Sequence, residues 1–456
     1  MTAPARTSPF AIRGVIEGYY GRPWTHDQRL ELIDFLADRG MNTFMYGPKD
    51  DPLIRRDWRV AYDGQALARL QELVDRCATR GMTFAWCISP GLSIQYSDVA
   101  DREALLAKLQ SVIALGVGQV GLFVDDIPTE LQHPEDRSAY PTLVDAHIDL
   151  VNAVFAALPP TVRLIVCPTT YWGRGTEPYL AALGEGIDRR VDLFWTGREL
   201  CSPVLDLADA SVVMRTADRP PTYWDNYPVN DVAMGYELHI GPYRGRDPQL
   251  YRASTGVVAN GMELFRSSLI PFATIADYLR DPEGYDPEAS WGRAIRDVVG
   301  EADATAFAVF ADNVRSSCLA QDDAPIVAST LATALFLLDR GDAADAALAL
   351  GGLADRLLAA ADHLLRGPVR DGALIDEIRP WLVAFELGAQ AIRRLADLVG
   401  AGRLAQDGVA ELRPFLFKLR RARVRVFGDA LEMTLSDLTG TLFRPGEVPA
   451  LEGEIR

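Results

Sequence analysis

Two adjacent carboxylates, Asp125 and Asp126, are the residues of this sequence best suited to chemistry. They follow an apolar run, 120–124, that predicts a buried β-strand. Neighbouring strand side chains point to opposite faces, so both carboxylates reach one pocket only if the strand ends there and the backbone turns, as Pro128 suggests. Because two close carboxyls resist double ionisation, we expect the pKa of one to rise and give an acid at neutral pH. The alternative is that one aspartate caps the next segment while the other is solvated.

Six further polar or aromatic residues, and one glycine that need only serve a turn, end or follow the other apolar runs of the first 280 residues: Lys49, Tyr171, Trp224, Asn226, Asp231, Asn260 and Gly18. Carboxylates and amides suit the hydroxyls of a neutral sugar, and aromatic faces suit its pyranose ring. Ordinary alternatives exist, because Lys49 could form a surface ion pair and Tyr171 could pack within its loop. Asn226 and Asp231 could each make an Asx turn. The hypothesis of a sugar site therefore depends on these residues meeting at one place.

The apolar runs predict eight strands, at 12–16, 43–46, 83–88, 120–124, 163–167, 191–195, 222–224 and 256–259. Amphipathic stretches separate them, and the first begins with a Thr25–Gln28 capping box and ends at Gly40. Eight strands with crossovers in about 250 residues predict an α/β fold, a (β/α)8 TIM-type barrel. A doubly wound sheet is the alternative, but no GxGxxG follows the first strand. In such a barrel the site lies at the carboxyl ends of the strands.

After about residue 282 helical periodicity dominates, notably at 344–365, 375–398 and 409–438. This pattern predicts an all-α helical bundle domain after the barrel, without a motif that carries chemistry. We expect an N-terminal extension at 1–10, the barrel at 11–282, the bundle at 283–445 and a C-terminal tail at 446–456.

Composition excludes several classes of function. Lys plus Arg number 46 and Asp plus Glu 63, so the net charge of −17 argues against nucleic-acid and anionic membrane partners. The five cysteines form no CxxC pair and the five histidines no HxxxH pair, so we expect no zinc ribbon, no disulfide framework and no histidine-based metal site. We also expect no cofactor. No apolar leader is visible, and the longest apolar stretch, 327–338, is too short to span a bilayer. We therefore expect a soluble, cytoplasmic protein.

Eight ordered segments resemble glycoside hydrolase family 84, the β-N-acetylglucosaminidases that include protein O-GlcNAcases: 14–24, 46–51, 88–92, 123–127, 167–169, 195–197, 224–231 and 241–243. The resemblance covers about residues 9–280. It implies retaining hydrolysis assisted by the substrate, in which the acetamido oxygen attacks the anomeric carbon and forms an oxazoline. By the same resemblance, Asp125 would orient the acetamido N–H. Asp126 would protonate the leaving oxygen and then deprotonate water.

The resemblance also implies roles for the surrounding residues. Tyr171 would contact the acetamido region, and Trp224 would wall the acetyl pocket. The sugar hydroxyls would be held by Gly18 (through its backbone), Lys49, Asn226, Asp231 and Asn260. After Asn260 the sequence departs from the usual Asn-Pro continuation of the family.

The expected activity is exo-hydrolysis of terminal β-linked GlcNAc on a glycoconjugate or glycoprotein, with O-GlcNAc on Ser or Thr as one candidate. Two alternatives stay open: an endo-acting hyaluronidase of the same family, and an inactive GlcNAc-binding barrel. The sequence does not determine the natural aglycone or the oligomeric state.

Overall fold

The structure is a computed structural model that describes residues 8–321, 324–404 and 406–441. Residues 1–7 of the expected extension, 442–445 of the expected bundle and the expected tail at 446–456 lie outside the described residues. The chain divides into two compact units. Among the described residues, the first contains 8–231, Tyr243–Phe265 and Phe272–Asp286. The second contains Val232–Pro242, Arg266–Pro271 and the described residues from 287 to 441.

Eight parallel strands form a closed barrel in sequence order, with β8 pairing to β1. They are β1 (Ile12–Glu17), β2 (Thr43–Tyr46), β3 (Thr83–Ile88), β4 (Gln119–Phe123), β5 (Arg163–Cys167), β6 (Asp192–Trp195), β7 (Thr222–Asp225) and β8 (Gly256–Asn260). Each bound lies within one residue of its prediction, because strands buried on both faces are continuous apolar runs. The predicted (β/α)8 barrel is confirmed.

The barrel interior is a continuous apolar cluster that closes the barrel below the carboxyl ends of the strands. Its members are Ile12, Ile16, Met45, Ala85, Cys87, Phe123, Ile165, Cys167, Phe194, Trp224 and Val258. Packing is tight enough to require a glycine on β4. A Cβ at Gly121 would lie 2.7 Å from Cys87 Sγ and 2.8 Å from the Phe123 ring. The interior is therefore a packed core, and the strand ends above it are free to form a site.

Helices alternate with the strands: α1 (His26–Asp38), α2 (Gly64–Thr79), α3 (Val99–Ile113), α4 (Pro134–Ala139), α5 (Leu143–Ala157), α6 (Pro178–Gly186), α7 (Leu207–Thr216) and α8 (Phe265–Arg280). The capping box predicted for α1 is present, with Gln28 N–H donating to Thr25 Oγ1 and Thr25 N–H donating to Gln28 Oε1. The same helix ends at Asp38 and is capped by Arg39 and then by Gly40, whose φ is +77°.

The helices of the second unit are α9 (Pro287–Val299), α10 (Glu301–Ala311), α11 (Pro325–Asp339), α12 (Ala343–Arg366), α13 (Gly372–Gly400), α14 (Gln406–Val409), α15 (Arg413–Arg421) and α16 (Ala430–Thr439). The predicted all-α character is confirmed, but a single helix over 409–438 is wrong. Phe427 has a φ of +67°, donates its N–H to Asn313 O and stacks on Phe385 with ring centroids 5.5 Å apart. This tertiary packing breaks the helical pattern. None of the described helices is both long and apolar enough for a membrane span.

Candidate active site

The turn that the two adjacent carboxylates require is present at the end of β4. The strand ends at Phe123, and Asp126 adopts a left-handed backbone conformation with a φ of +53°. This conformation costs an L-residue roughly 1–2 kcal/mol, although Asp tolerates it better than most residues. Both carboxyl groups consequently face one cation, the ammonium of Lys49.

Asp125 is a buried carboxylate with one oxygen engaged and one available. Its side chain is 6% exposed, and Oδ2 forms an ion pair and hydrogen bond with Lys49 Nζ. Oδ1 is also buried and has no hydrogen-bond partner among the residues that the structure describes. Burying a carboxylate oxygen without a donor is costly, so this atom is suited to receiving an N–H or O–H from a ligand.

Lys49 follows β2 and supplies the positive charge of the site. Burial acts to lower the pKa of its ammonium. The interactions with Asp125, Tyr20 and Asp126 raise the pKa by more than burial lowers it, so the pKa lies above its ordinary value. Lys49 is therefore a cation at neutral pH. Its Nζ also lies 5.7 Å from the ring centre of Trp224, within the range of a cation–π interaction.

Asp126 is more exposed and is held by two phenols. Its Oδ1 accepts a hydrogen bond from Tyr171 at 2.7 Å and its Oδ2 accepts one from Tyr20 at 2.7 Å. Burial acts to raise the pKa of Asp126, but Lys49 and the two tyrosine hydroxyls outweigh it, so the pKa lies below its ordinary value. The rise expected for one carboxyl of the pair is therefore not found at Asp126, because a lysine and two hydroxyl donors surround it. With 32% of its side chain exposed, this carboxylate remains accessible to a ligand.

A chain of amide hydrogen bonds connects the ends of β1, β8 and β7. The Gly18 N–H donates to Asn260 Oδ1 at 3.1 Å, and Asn260 Nδ2 donates to Asn226 Oδ1 at 3.1 Å. Asn226 Oδ1 also accepts the Trp224 indole N–H at 2.9 Å, and Asn226 Nδ2 donates to Leu200 O at 2.8 Å. Four predicted site residues therefore form one hydrogen-bonded group.

Gly18 and Trp224 are in close contact at this edge of the site. A Cβ at Gly18 would lie 2.6 Å from Cζ2 and 2.9 Å from Cη2 of the Trp224 indole. Any larger residue at Gly18 would force the indole to move. The indole is also held from below, since its ring centroid lies 5.3 Å from each of Phe123 and Phe194.

Asp231 holds the loop that follows β1. Its Oδ2 accepts the Tyr20 N–H at 2.7 Å, and Asp50 Oδ2 accepts the Gly21 N–H at 3.0 Å. Burial raises the pKa of Asp231, although the Tyr20 N–H opposes the rise. All nine sequence-predicted residues thus lie at the carboxyl-terminal edge of the barrel. Lys49 lies beside the carboxyls of Asp125 and Asp126, and Tyr171 and Asp231 bind Asp126 and Tyr20 respectively. The other four form the amide chain.

Two residues of this site were missed by the sequence analysis. Tyr20 contacts Asp126, and Arg55, in the loop after β2, donates from Nη1 to the Tyr20 hydroxyl at 2.8 Å. Tyr20 lies within the recognised segment 14–24, but an aromatic residue after a strand is equally typical of packing. Arg55 is one of several arginines in a polar stretch, and spacing alone does not distinguish it.

Glu17, by contrast, is a carboxylate at a strand end whose two oxygens are already bound by other residues of the barrel. It is fully buried, pairs with Arg29 through two hydrogen bonds of 2.6 and 2.8 Å, and accepts the Trp24 N–H. Burial raises its pKa against the opposing effect of Arg29. Within the described ranges, no group of three or more His, Cys, Asp or Glu side chains is placed to hold a metal ion.

Comparison with known proteins finds the β-N-acetylglucosaminidase (NAGidase) family model over residues 13–312. Protein O-GlcNAcase from Rattus norvegicus is 30% identical over 273 residues, and the Mus musculus protein matches with the same values. That alignment covers 59% of this chain but 30% of each rodent protein. The structure of an O-GlcNAc hydrolase mutant from Thermobaculum terrenum is similar with a TM-score of 0.89 at 32% identity. It covers 94% of this chain and 95% of that one. These matches confirm the resemblance seen in the sequence motifs.

Proposed function

Because this chain belongs to the β-N-acetylglucosaminidase family, we propose that it is an exo-acting, retaining glycoside hydrolase that removes terminal β-linked N-acetylglucosamine. The observation that carries the proposal is the pair of carboxyls after β4. Asp125 presents a buried oxygen without a donor, and Asp126 presents an accessible carboxylate beside it. The two oxygens are suited to different tasks on one sugar.

In the first step, Asp125 Oδ1 accepts the acetamido N–H of the bound sugar. This hydrogen bond orients the acetamido group and increases the electron density on its carbonyl oxygen, which attacks the anomeric carbon. The bond from that carbon to the aglycone oxygen breaks, and Asp126 gives its proton to the departing oxygen. The product of this step is a protonated oxazoline (an oxazolinium ion), formed without an enzyme nucleophile, whose nitrogen keeps its proton and its hydrogen bond to Asp125 Oδ1. Lys49 holds Asp125 in place through the ion pair with its other oxygen, Oδ2.

In the second step, Asp126 accepts a proton from water as the water oxygen attacks the anomeric carbon. The bond from that carbon to the acetamido oxygen breaks, the acetamido group is restored, and Asp126 regains the proton for the next cycle. Two inversions at one carbon give net retention of configuration. A sugar over Asp126 removes water from the carboxyl, which raises its pKa and favours the protonated form needed for the first step.

The remaining residues form the pocket of this proposal. Trp224 walls the acetyl group, held in place by Asn226 and by the rings beneath it. Tyr171 contacts the acetamido region while its hydroxyl binds Asp126. The sugar hydroxyls are held by Gly18, Lys49, Asn226, Asp231 and Asn260. Because the Gly18 N–H is bonded to Asn260, the carbonyl is the backbone group that Gly18 offers to a hydroxyl.

The names of the relatives suggest the class of natural substrate and no individual substrate. The relatives are described as O-GlcNAcases and an O-GlcNAc hydrolase, so a glycoprotein carrying O-GlcNAc on Ser or Thr is our first candidate. Cys77, Cys87 and Cys167 are buried free thiols, which favours a reducing, cytoplasmic location. Endo-hydrolysis of hyaluronan and GlcNAc binding without turnover are the competing functions.

The decisive experiment compares an aryl β-N-acetylglucosaminide with the matching aryl β-glucoside. Turnover of the first alone supports participation of the acetamido group. Comparable turnover of both would contradict the mechanism and require an enzyme nucleophile. Binding of GlcNAc by calorimetry without turnover of either would favour a binding barrel, and release of large oligosaccharides from hyaluronan would favour the endo-acting enzyme.

A further inference from the structure

Three residues from three loops form a hydrogen-bonded series that ends on the proposed acid–base residue. Arg55 Nη1 donates to the Tyr20 hydroxyl at 2.8 Å, and that hydroxyl donates to Asp126 Oδ2 at 2.7 Å. Arg55 lies in the turns after β2, Tyr20 after β1 and Asp126 after β4. The series joins the ends of the neighbouring strands β1 and β2 to the end of β4, which is separated from β2 by β3.

Tyr20 is held at both ends, which gives this series a defined geometry. Its N–H is fixed by Asp231 at 2.7 Å, while its ring lies 5.2 Å from the guanidinium carbon of Arg55. A donor bonded to the phenol oxygen polarises its O–H and strengthens the hydrogen bond that the phenol donates, particularly when the donor is charged. The hydrogen bond from Arg55 therefore strengthens the hydrogen bond that Tyr20 donates to Asp126.

We propose that Arg55 is a positioning residue that acts through Tyr20, aiming the phenol hydroxyl at Asp126 Oδ2 and so orienting the acid–base carboxyl toward the glycosidic oxygen. This inference rests on the function proposed above for Asp126. It adds two residues to the site, neither of which is the acid, the base or a group that polarises the acetamido group.

Other groups also face the Asp126 carboxyl, and the role of Arg55 must be separated from theirs. They are Lys49 after β2, at 3.8 Å, Tyr171 after β5, at 2.7 Å, and the adjacent Asp125. Arg55 also acts on Asp126 directly through space. The two effects of Arg55 can be separated by removing the Tyr20 hydroxyl. The effect that acts through Tyr20 is then lost, whereas the through-space effect of the Arg55 charge on Asp126 remains.

The test uses the pH dependence of kcat on an aryl β-N-acetylglucosaminide, which reports the pKa of Asp126 in the substrate complex, for Arg55→Met, Tyr20→Phe and the double variant. Asp126 must carry a proton in the first step, and both substitutions remove stabilisation of its carboxylate. The basic limb should therefore move to higher pH by about half a unit to one unit in each single variant. The double variant should show the shift of Tyr20→Phe with little further change.

The matched control is the adjacent Arg56→Met. Arg56 is largely exposed, with its side chain 78% accessible, and pairs with Asp57. Its substitution should leave the pH profile unchanged. If Arg55→Met does not fold, Arg55→Gln keeps an uncharged N–H donor and should shift the limb in the same direction by a smaller amount.

An unchanged profile in an active, folded Arg55 variant would overturn the positioning role, as would an Arg55→Met shift of full size in the Tyr20→Phe background. Failure of the proposed function has a different signature, since the wild-type protein would then not hydrolyse the substrate at all. That result would overturn both proposals.

Discussion

Lys49 is ion-paired with Asp125 and its Nζ lies 3.8 Å from Oδ2 of Asp126, so one buried cation faces both carboxyls of the site. This arrangement explains why adjacency does not raise the pKa of Asp126. The repulsion expected between two carboxylates is offset by a shared counter-charge, and the Tyr20 and Tyr171 hydroxyls add to its effect. In the mechanism proposed above, desolvation by bound substrate favours the acid form of Asp126.

Substitution of the two carboxyls should separate their roles. For Asp126→Asn, kcat/KM on a substrate with a poor leaving group should fall by about 10²- to 10⁴-fold, because the departing oxygen no longer receives a proton. An activated aryl substrate, whose leaving group needs little protonation, should lose much less. Asp125→Asn should lower kcat/KM for both substrates alike. Equal sensitivity of Asp126→Asn to the two leaving groups would contradict the assignment.

Asp126 should also contribute to stability in a pH-dependent way. Its pKa in the folded protein lies below the ordinary value of 3.8, so its contribution is present above that pH and is lost as pH falls through the folded value. The wild-type protein should therefore exceed Asp126→Asn in free energy of unfolding by more at neutral pH than at about pH 3. Urea unfolding at the two pH values measures this, and a difference that does not change with pH would refute the prediction.

The left-handed backbone of Asp126 predicts that glycine is tolerated better than alanine at this position. Glycine adopts a φ of +53° without steric cost, whereas alanine does not. Asp126→Gly should therefore be more stable than Asp126→Ala by roughly 1 kcal/mol, and both should be inactive on unactivated substrates. Denaturant midpoints of the two variants provide the measurement. Equal midpoints would show that this conformation carries no strain.

Enlarging Gly18 should damage the pocket through Trp224. A Cβ would come within 2.6 Å of the indole, which must move and lose its contact with Asn226. We expect Gly18→Ala to lower kcat/KM by at least about tenfold, with little change in folding. Gly64→Ala is the control, since a Cβ there meets nothing within 4 Å at the start of α2. Activity of Gly18→Ala equal to that of the control would show that the indole position is unimportant.

The fold was predictable because its signals are local. Each strand is an apolar run, and helix ends carry their own markers, such as the Thr25 capping box and Gly40. The helix predicted over 409–438 failed because Phe427 is held by Asn313 and Phe385, which lie far away in sequence. Tertiary contacts of this kind override helical periodicity.

The positions of the candidate site residues in the barrel were predictable, but the hydrogen bonds and ion pairs between them were not. Sequence position placed Gly18, Asn226 and Asn260 at one edge of the barrel, yet not the hydrogen bonds between them. The engagement of Lys49 with both carboxyls was also missed, and with it the direction of the Asp126 pKa. The spacing of apolar residues in the sequence determines on which face of a strand a side chain lies. Its hydrogen-bond partner depends on the conformations of the loops, which leave no periodic pattern in the sequence.

The hydrogen bond from Gly18 to Asn260 joins residues 242 positions apart, at the seam where β8 closes against β1. The proposed sugar pocket therefore lies across the two ends of the barrel chain. A ribosome must synthesise nearly the whole barrel before this pocket can exist, and no amino-terminal half can acquire it alone. In a co-translational assay, hydrolysis would report the moment at which the first and last strands meet.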